Sequence, residues 1–216
     1  MNPVVRIATA LAVVGALGGC VAEEVWAPDT VVSAANYRPT GPSTLTLMTM
    51  VSNRDGRGGH SALMIDGQQR VLFDPAGSWY HPMIPERNDV LYGMTPQFLQ
   101  FYTDYHARET YHIVVQEIEI SAATAEQLIA AVEAHGAVPP ARCSLSISRL
   151  LGQTPGFEAI TANWFPVRTM EQFGALDGVR ESRIYDTDAD DNLELLQAQA
   201  RAELSREIAR QVAAGN

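Results

Sequence analysis

The strongest constraint on the fold is a short stretch of alternating residues on either side of a turn. His60-Ser61-Ala62-Leu63-Met64-Ile65 has strand-like alternation, Asp66-Gly67 is a tight-turn signal, and Arg70-Val71-Leu72-Phe73-Asp74 returns before Pro75-Ala76-Gly77 stops it. This reads as a β-hairpin. Ahead of it, residues 43–52 alternate through Leu45, Leu47 and Thr49 and read as another strand. The connection Asn53 to Gly59 is dense in turn formers. Register decides what the hairpin presents. His60 stands seven residues before Gly67 and Asp74 seven after it, so the two are candidate cross-strand neighbours. A slip of one residue puts Phe73 on the His60 face instead.

Downstream, helical and extended patterns are segregated rather than alternating. Residues 76–94 read as irregular. Thr95-Pro96 opens a helix to about Ala107, Thr110 to Ile120 alternates as a long strand, and Ser121 caps a helix to about His135 that Gly136 ends. Pro139-Pro140 forces an extended approach to a short apolar helix from Cys143 to Leu151, with Gly152 as its stop. Weaker patterns mark a helix over Thr169–Leu176 and a strand over Ser182–Tyr185. From Asp190 to Ala214, Leu193, Leu196, Ala200, Leu204 and Ile208 form one stripe of a long helix. The predicted fold class is α+β: an antiparallel sheet whose His-bearing hairpin packs against a Cys-bearing helix.

The N-terminus reads differently. One positive residue, Arg6, precedes an apolar run from Ile7 to Leu17, and Gly18-Gly19-Cys20 follows. That is the order of an export signal, and the run falls short of the roughly 20 residues a bilayer demands. Leu17-Gly18-Gly19-Cys20 resembles the bacterial lipobox. The resemblance implies cleavage before Cys20 and a lipid on its sulfur. Val21 follows where an Asp would suggest inner-membrane retention, so outer-membrane sorting is expected over inner. The expected organisation is a signal peptide at 1–19, a lipid-anchored tether at 20–42, a catalytic domain at 43–186 and a C-terminal helix at 187–216. A formal charge of −10 argues against nucleic acid as a partner.

Only two cysteines are present. If Cys20 carries lipid, Cys143 has no disulfide partner, and an unpaired thiol in an exported protein calls for a role. The plain alternative is a buried thiol acting as a small apolar residue. Cys143 opens a helix, where free N–H groups and the dipole favour thiolate. His60 follows a glycine loop and Asp74 closes its hairpin. A nucleophile, a base and a group that orients the base are thereby available.

Gly59-His60 with its strand, then Val71-Leu72-Phe73-Asp74-Pro75 through Trp79, then a helix opening at Arg142-Cys143-Ser144, resemble the NlpC-type branch of papain-like cysteine hydrolases. The order, His before Cys, is that of the circularly permuted members, YiiX-like and lecithin retinol acyltransferase-like, and the resemblance covers about residues 43–176. It implies Cys143 as nucleophile, His60 as base and a polar orienting residue, matched here to Asp74. The family often carries His or another polar residue in that last place. The implied reaction is acyl transfer through a thioester, with a cell-wall peptide amide as first substrate and a lipid ester or amide as second. No wall-binding module is evident. Met48, Met50, Leu63 and Trp79 are the expected apolar approach.

Other features read as structural. His106, His112 and His135 are expected at the surface or in packing, with His81 held as a reserve pocket residue. Ser144, Ser146 and Ser148 are expected to pack or cap. Asp186, Asp188 and Asp190 imitate a calcium loop but lack its Gly and Glu. Zinc on His60, Asp74 and Cys143 has suitable ligand types but no close-spaced pair. No cofactor is expected. The rival class is a non-enzymatic envelope lipoprotein with a degenerate site.

Overall fold

The computed structural model describes residues 22–191, 196–197, 201 and 204–205. The lipobox with Cys20 and most of the expected C-terminal helix lie outside these residues. Helix α1 (Asp29–Ala34) precedes strands β1 (Thr44–Ser52), β2 (Gly58–Asp66), β3 (Arg70–Phe73), β4 (Glu86–Arg87) and β5 (Val90–Tyr92). Then come α2 (Pro96–His106), β6 (Tyr111–Glu119), α3 (Ala122–Glu133), α4 (Cys143–Gly152), α5 (Pro166–Gly174) and β7 (Arg180–Ile184). The seven strands form one sheet in the order β4-β5-β3-β2-β1-β6-β7, and every pairing is antiparallel. The α+β class is therefore correct. Among the described residues no helix is long and apolar enough to cross a membrane.

The sheet is covered on both faces, because side chains alternate across each strand. Leu45 and Leu47 of β1, Leu63 and Ile65 of β2, and Val71 and Phe73 of β3 pack against Leu128 and Val132 of α3, Ile147 and Leu151 of α4 and Phe173 of α5. The intervening residues Met48, Met50, Ala62, Met64 and Leu72 face the other way and meet Tyr102 of α2, Trp79 and Met94. Every residue of β1 is buried. Its alternation therefore separates two cores rather than a core from water. Sealing apolar surface on both sides, at roughly 25 cal/mol per Å², stabilises β1 and β2 from both faces.

Local chemistry accounts for the ends of the elements. Thr95 accepts a hydrogen bond from Phe98 N at 3.4 Å and Pro96 occupies the first turn of α2. Ser121 caps α3 by accepting from Thr124 N at 3.0 Å. Two differences from expectation stand out. The stretch 76–94, read as irregular, contains the β4–β5 hairpin, whose two turn residues Asn88 and Asp89 have φ of 45° and 69°. Such positive φ values belong to a two-residue hairpin turn, here without the glycine that would have signalled it. The stretch 20–42, read as a tether, is docked from Val25 to Tyr37. Ala27 N donates to Glu86 O at 2.9 Å, Asn88 N to Val25 O at 3.0 Å and Arg70 N to Tyr37 O at 2.8 Å. Arg87 stacks over Trp26 at 4.7 Å. Backbone groups on the open edge of β4 would otherwise be unpaired, and this segment covers them.

Candidate active site

The site is built where β2 outruns β3. The hairpin register pairs Leu63 with Phe73, Ile65 with Val71 and Asp66 with Arg70, so the turn centres on Gln68 rather than Gly67. The expectation of direct pairing between His60 and Asp74 is thus corrected: extending the ladder sets Asp74 against Ala62. The slip is of two residues, and two is the period of a strand, so Asp74 and His60 still share a face as diagonal neighbours. Phe73 points into the helix-side core instead. Asp74 then closes the distance: its Oδ1 lies 2.6 Å from His60 Nε2.

A β-bulge aims His60. Met50 pairs with His60 but Val51 with Gly58, which leaves Gly59 as an extra residue. Gly59 admits no side chain, since a Cβ there would stand 2.7 Å from the Tyr111 ring. The glycines before His60 therefore serve a close approach as well as a turn.

Cys143 arrives from the other side of the sheet as the first residue of α4. Ala141 takes a φ of 63° before it, a left-handed conformation that is strained for a residue with a Cβ. Almost all of α4 is buried, which fixes its leading end. Ser144 Oγ lies 2.8 Å from Thr169 Oγ1, and Ser148 Oγ accepts from Asn163 N at 3.0 Å. These serines tie the helix to α5 and the preceding loop, the packing role expected of them. The thiol lies near enough to His60 for each group to shift the other's pKa.

The electrostatics follow from these contacts. Burial lowers the His60 pKa, but the Asp74 carboxylate and the Cys143 sulfur outweigh it and raise the imidazole from 6.5 to about 10. Burial raises the Asp74 carboxyl, and the charge and hydrogen bond of His60 more than reverse it, leaving it below its ordinary value. For Cys143, burial again opposes ionisation. The hydrogen bond and charge of His60, then backbone bonds at Ser61 and Ser144, bring its pKa below 9.0. An ionised carboxylate only accepts, so His60 Nε2 carries the proton towards Asp74 and Nδ1 remains for the thiol.

Two neighbours of this site were missed in the sequence. Tyr102 of α2 donates its hydroxyl to the same Asp74 oxygen at 2.8 Å. His106, one helical turn later, stacks on His60 with ring centroids 5.9 Å apart and an interplanar angle of 11°. His106, expected at the surface or in packing, packs here against the candidate base itself. Burial, with the nearby His60 charge, holds its pKa at about 4, so it is a neutral ring beneath a charged one. The spacing of Tyr102 and His106 put them on one face of α2, but nothing in the sequence said which strand that face would meet.

His81, the reserve residue, is not at the site. It is buried among Phe98, Phe101 and Trp79, with centroids at 5.0, 5.9 and 6.1 Å. His112 bonds Asn53 Oδ1 at 2.7 Å and stacks on Tyr185. The expected apolar approach is also corrected. Met48, Leu63 and Trp79 are core residues, fully or almost fully buried, and Met50 alone of the four lines the opening beside His60. That pocket, of about 420 Å³, is walled by Met50, Gly59, Tyr105, His106 and Tyr111.

Asp74 occupies Nε2 of His60, which leaves Nδ1 to act on the thiol, an order that suits proton relay. Among the described residues, His60, Asp74 and Cys143 do not gather their ligand atoms as the zinc considered from the sequence would need. The carboxylates that do gather, within 4.8 Å of one another, belong to Asp104, Asp186 and Asp188. Arg108 already reaches two of them, Asp188 at 3.1 Å and Asp104 at 3.9 Å.

Comparison with known protein families, with curated proteins and with solved structures finds no match to this chain.

Proposed function

We propose that this protein is a lipid-anchored cysteine hydrolase of the permuted papain-like kind, cleaving an amide through a thioester on Cys143. The observation that carries the reading is the 2.6 Å hydrogen bond from His60 Nε2 to Asp74, next to a thiol at a helix N-terminus whose pKa His60 lowers. In the reaction His60 Nδ1 takes the thiol proton, and the sulfur attacks the carbonyl carbon. The backbone N–H of Cys143, unpaired by the helix at its first position, and a neighbouring donor hold the oxyanion. Collapse expels the amine, which leaves with the proton from His60. Water, deprotonated by the same imidazole, then releases the acid and restores the thiol. Asp74 keeps the ring in the required tautomer and offsets its charge.

A cell-wall peptide amide is the first substrate proposed. Hydrolysis or transfer of a lipid-type ester or amide is the second, and the Met50, Tyr105 and Tyr111 lining of the pocket favours it. The test is alkylation of Cys143 across pH. A His60-dependent rate near neutral pH is expected; equal, slow labelling of the folded His60→Ala variant would point to an inert thiol. The anchor is proposed from the lipobox, with the envelope and preferably the outer membrane as its place. Radiolabelled lipid should enter the wild-type chain but not Cys20→Ser, and persistent labelling refutes the lipobox reading.

A further inference from the structure

The chain that follows Cys20 is short before it is fixed to the domain. Docking starts at Val25, whose carbonyl accepts from Asn88 N at 3.0 Å, and continues with Ala27 N to Glu86 O at 2.9 Å. Trp26 forms a backbone bridge with Arg87, and the Arg87 guanidinium stacks over the Trp26 ring at 4.7 Å while donating to Ala27 O at 2.8 Å. Trp26 is thus held in place, and yet it is 64% exposed. Tyr80 is exposed to the same degree. Both line one cavity of about 550 Å³, so two aromatic rings stand at its mouth, while Trp79, 3% exposed, lies at its base. Glu23 and Asp74, the partner of His60, line the same cavity. Cys20 stands three positions before Glu23. An extended chain advances at most about 3.6 Å per residue, so Glu23 is within about 11 Å of Cys20. A tether free from 20 to 42 would let the body stand off from a membrane and turn; docking from Val25 removes most of that freedom.

We propose that the face carrying Trp26 and Tyr80 docks on the surface of a zwitterionic bilayer, and that this holds the His60–Asp74 pair close to the lipid. The docking rests on the lipobox reading above and is independent of the chemistry assigned to Cys143. Trp and Tyr settle at the boundary between headgroups and acyl chains, because the ring is apolar and its N–H or O–H is polar. Charge selects the kind of surface. The cavity is lined by the carboxylates of Glu23, Asp74, Glu86 and Asp89 and by no cationic side chain. Burial and the neighbouring carboxylates hold Glu86 and Asp89 above their ordinary range. An anionic lipid would add to that repulsion, and a zwitterionic one does not. For the proposed hydrolase the consequence is a substrate presented at or near the bilayer, since Asp74 is one cavity's width from the residue next to the anchor.

The test places the full lipidated chain in phosphatidylcholine vesicles, with or without bromine on the acyl chains near the headgroup, and reads tryptophan emission. The chain has three tryptophans, and Trp164, 52% exposed beside Arg142, is the internal control. Brominated lipid should quench wild-type emission by roughly a third, one ring of three. Trp26→Phe should abolish the quenching, and Trp164→Phe should leave it in place. Adding Tyr80→Trp to Trp26→Phe should restore it, because the second ring lies on the same face; a double variant that stays unquenched overturns the shared face. Quenching that persists in Trp26→Phe overturns the docking. Replacing about a third of the lipid by phosphatidylglycerol at low ionic strength should weaken the quenching, and a gain overturns the choice of a zwitterionic surface. A chain that takes up no radiolabelled lipid overturns the anchor reading and this inference with it. A labelled chain whose Trp26 is not quenched overturns this inference alone.

Discussion

Replacing Asp74 by Asn removes one charge and little volume, and the consequence for Cys143 follows from the geometry. In the native site a carboxylate oxygen lies 2.6 Å from His60 Nε2, and His60 has only 16% of its side chain exposed. At an effective dielectric near 20, unit charges about 4 Å apart interact by about 4 kcal/mol. At 1.36 kcal/mol per unit, losing that interaction should lower the His60 pKa by about 2–3 units. Starting from about 10, the imidazole then titrates near neutrality, because the burial that Asp74 had outweighed now acts unopposed. Cys143 loses its cationic neighbour in turn, and burial drives the thiol back up towards its ordinary value or beyond. The rate of alkylation by iodoacetamide at pH 7 should fall roughly 10–100-fold, and its pH profile should move to higher pH. A circular dichroism spectrum and urea midpoint would establish that the variant is folded. A folded Asp74→Asn protein whose alkylation rate and profile match the wild type within about twofold would refute the relay as the source of thiol activation.

Gly77→Ala should disrupt the same carboxylate from the backbone side, since a Cβ at Gly77 would stand 1.9 Å from Asp74 Oδ2. We expect a loss of about 1–3 kcal/mol in urea unfolding, with slower alkylation of Cys143. His106 is half-buried and neutral with a pKa of about 4, so its unfolded form binds a proton more readily between pH 6.5 and 4. Stability should therefore fall as pH drops through that window, by up to about 3 kcal/mol from this group. His106→Gln should flatten the acid limb in urea titrations; an unaltered limb would contradict the assignment. On the alkaline side, His60 contributes stability that is complete below 6.5 and lost as pH rises through about 10, whereas Cys143 contributes stability present above 9.0 and lost as pH falls through its lowered value. Where the folded pair is thiolate and imidazolium, the proton has only moved from sulfur to ring. The two slopes then cancel until the unfolded thiol ionises, and net loss should begin above about pH 9 in unfolding titrations.

Much of the local structure was legible in the sequence because its causes are local. The His60–Asp74 hairpin, the Thr95-Pro96 and Ser121 helix starts and the placement of Cys143 at a helix N-terminus each follow from a few adjacent residues. The face shared by His60 and Asp74 was also readable, since a two-residue error in register leaves the face unchanged. The β4–β5 hairpin was not readable, because Asn88 and Asp89 adopt positive φ without a glycine to announce it. Nor was the docking of Val25 to Tyr37, which answers unpaired backbone groups on a strand sixty positions away.

The amino-acid order by itself determined the chemistry available to this protein: an unpaired thiol at the head of a helix, an imidazole on a strand and a carboxylate at the strand's return. Tertiary structure alone decided that these meet, that Tyr102 and His106 of α2 close over them, and that Asp190, after β7, lines the opening beside His60. The reason is that alternation and capping are set by neighbours along the chain. Which helix face lies against which strand is set by the burial of two separate cores on one sheet, a property of the whole molecule.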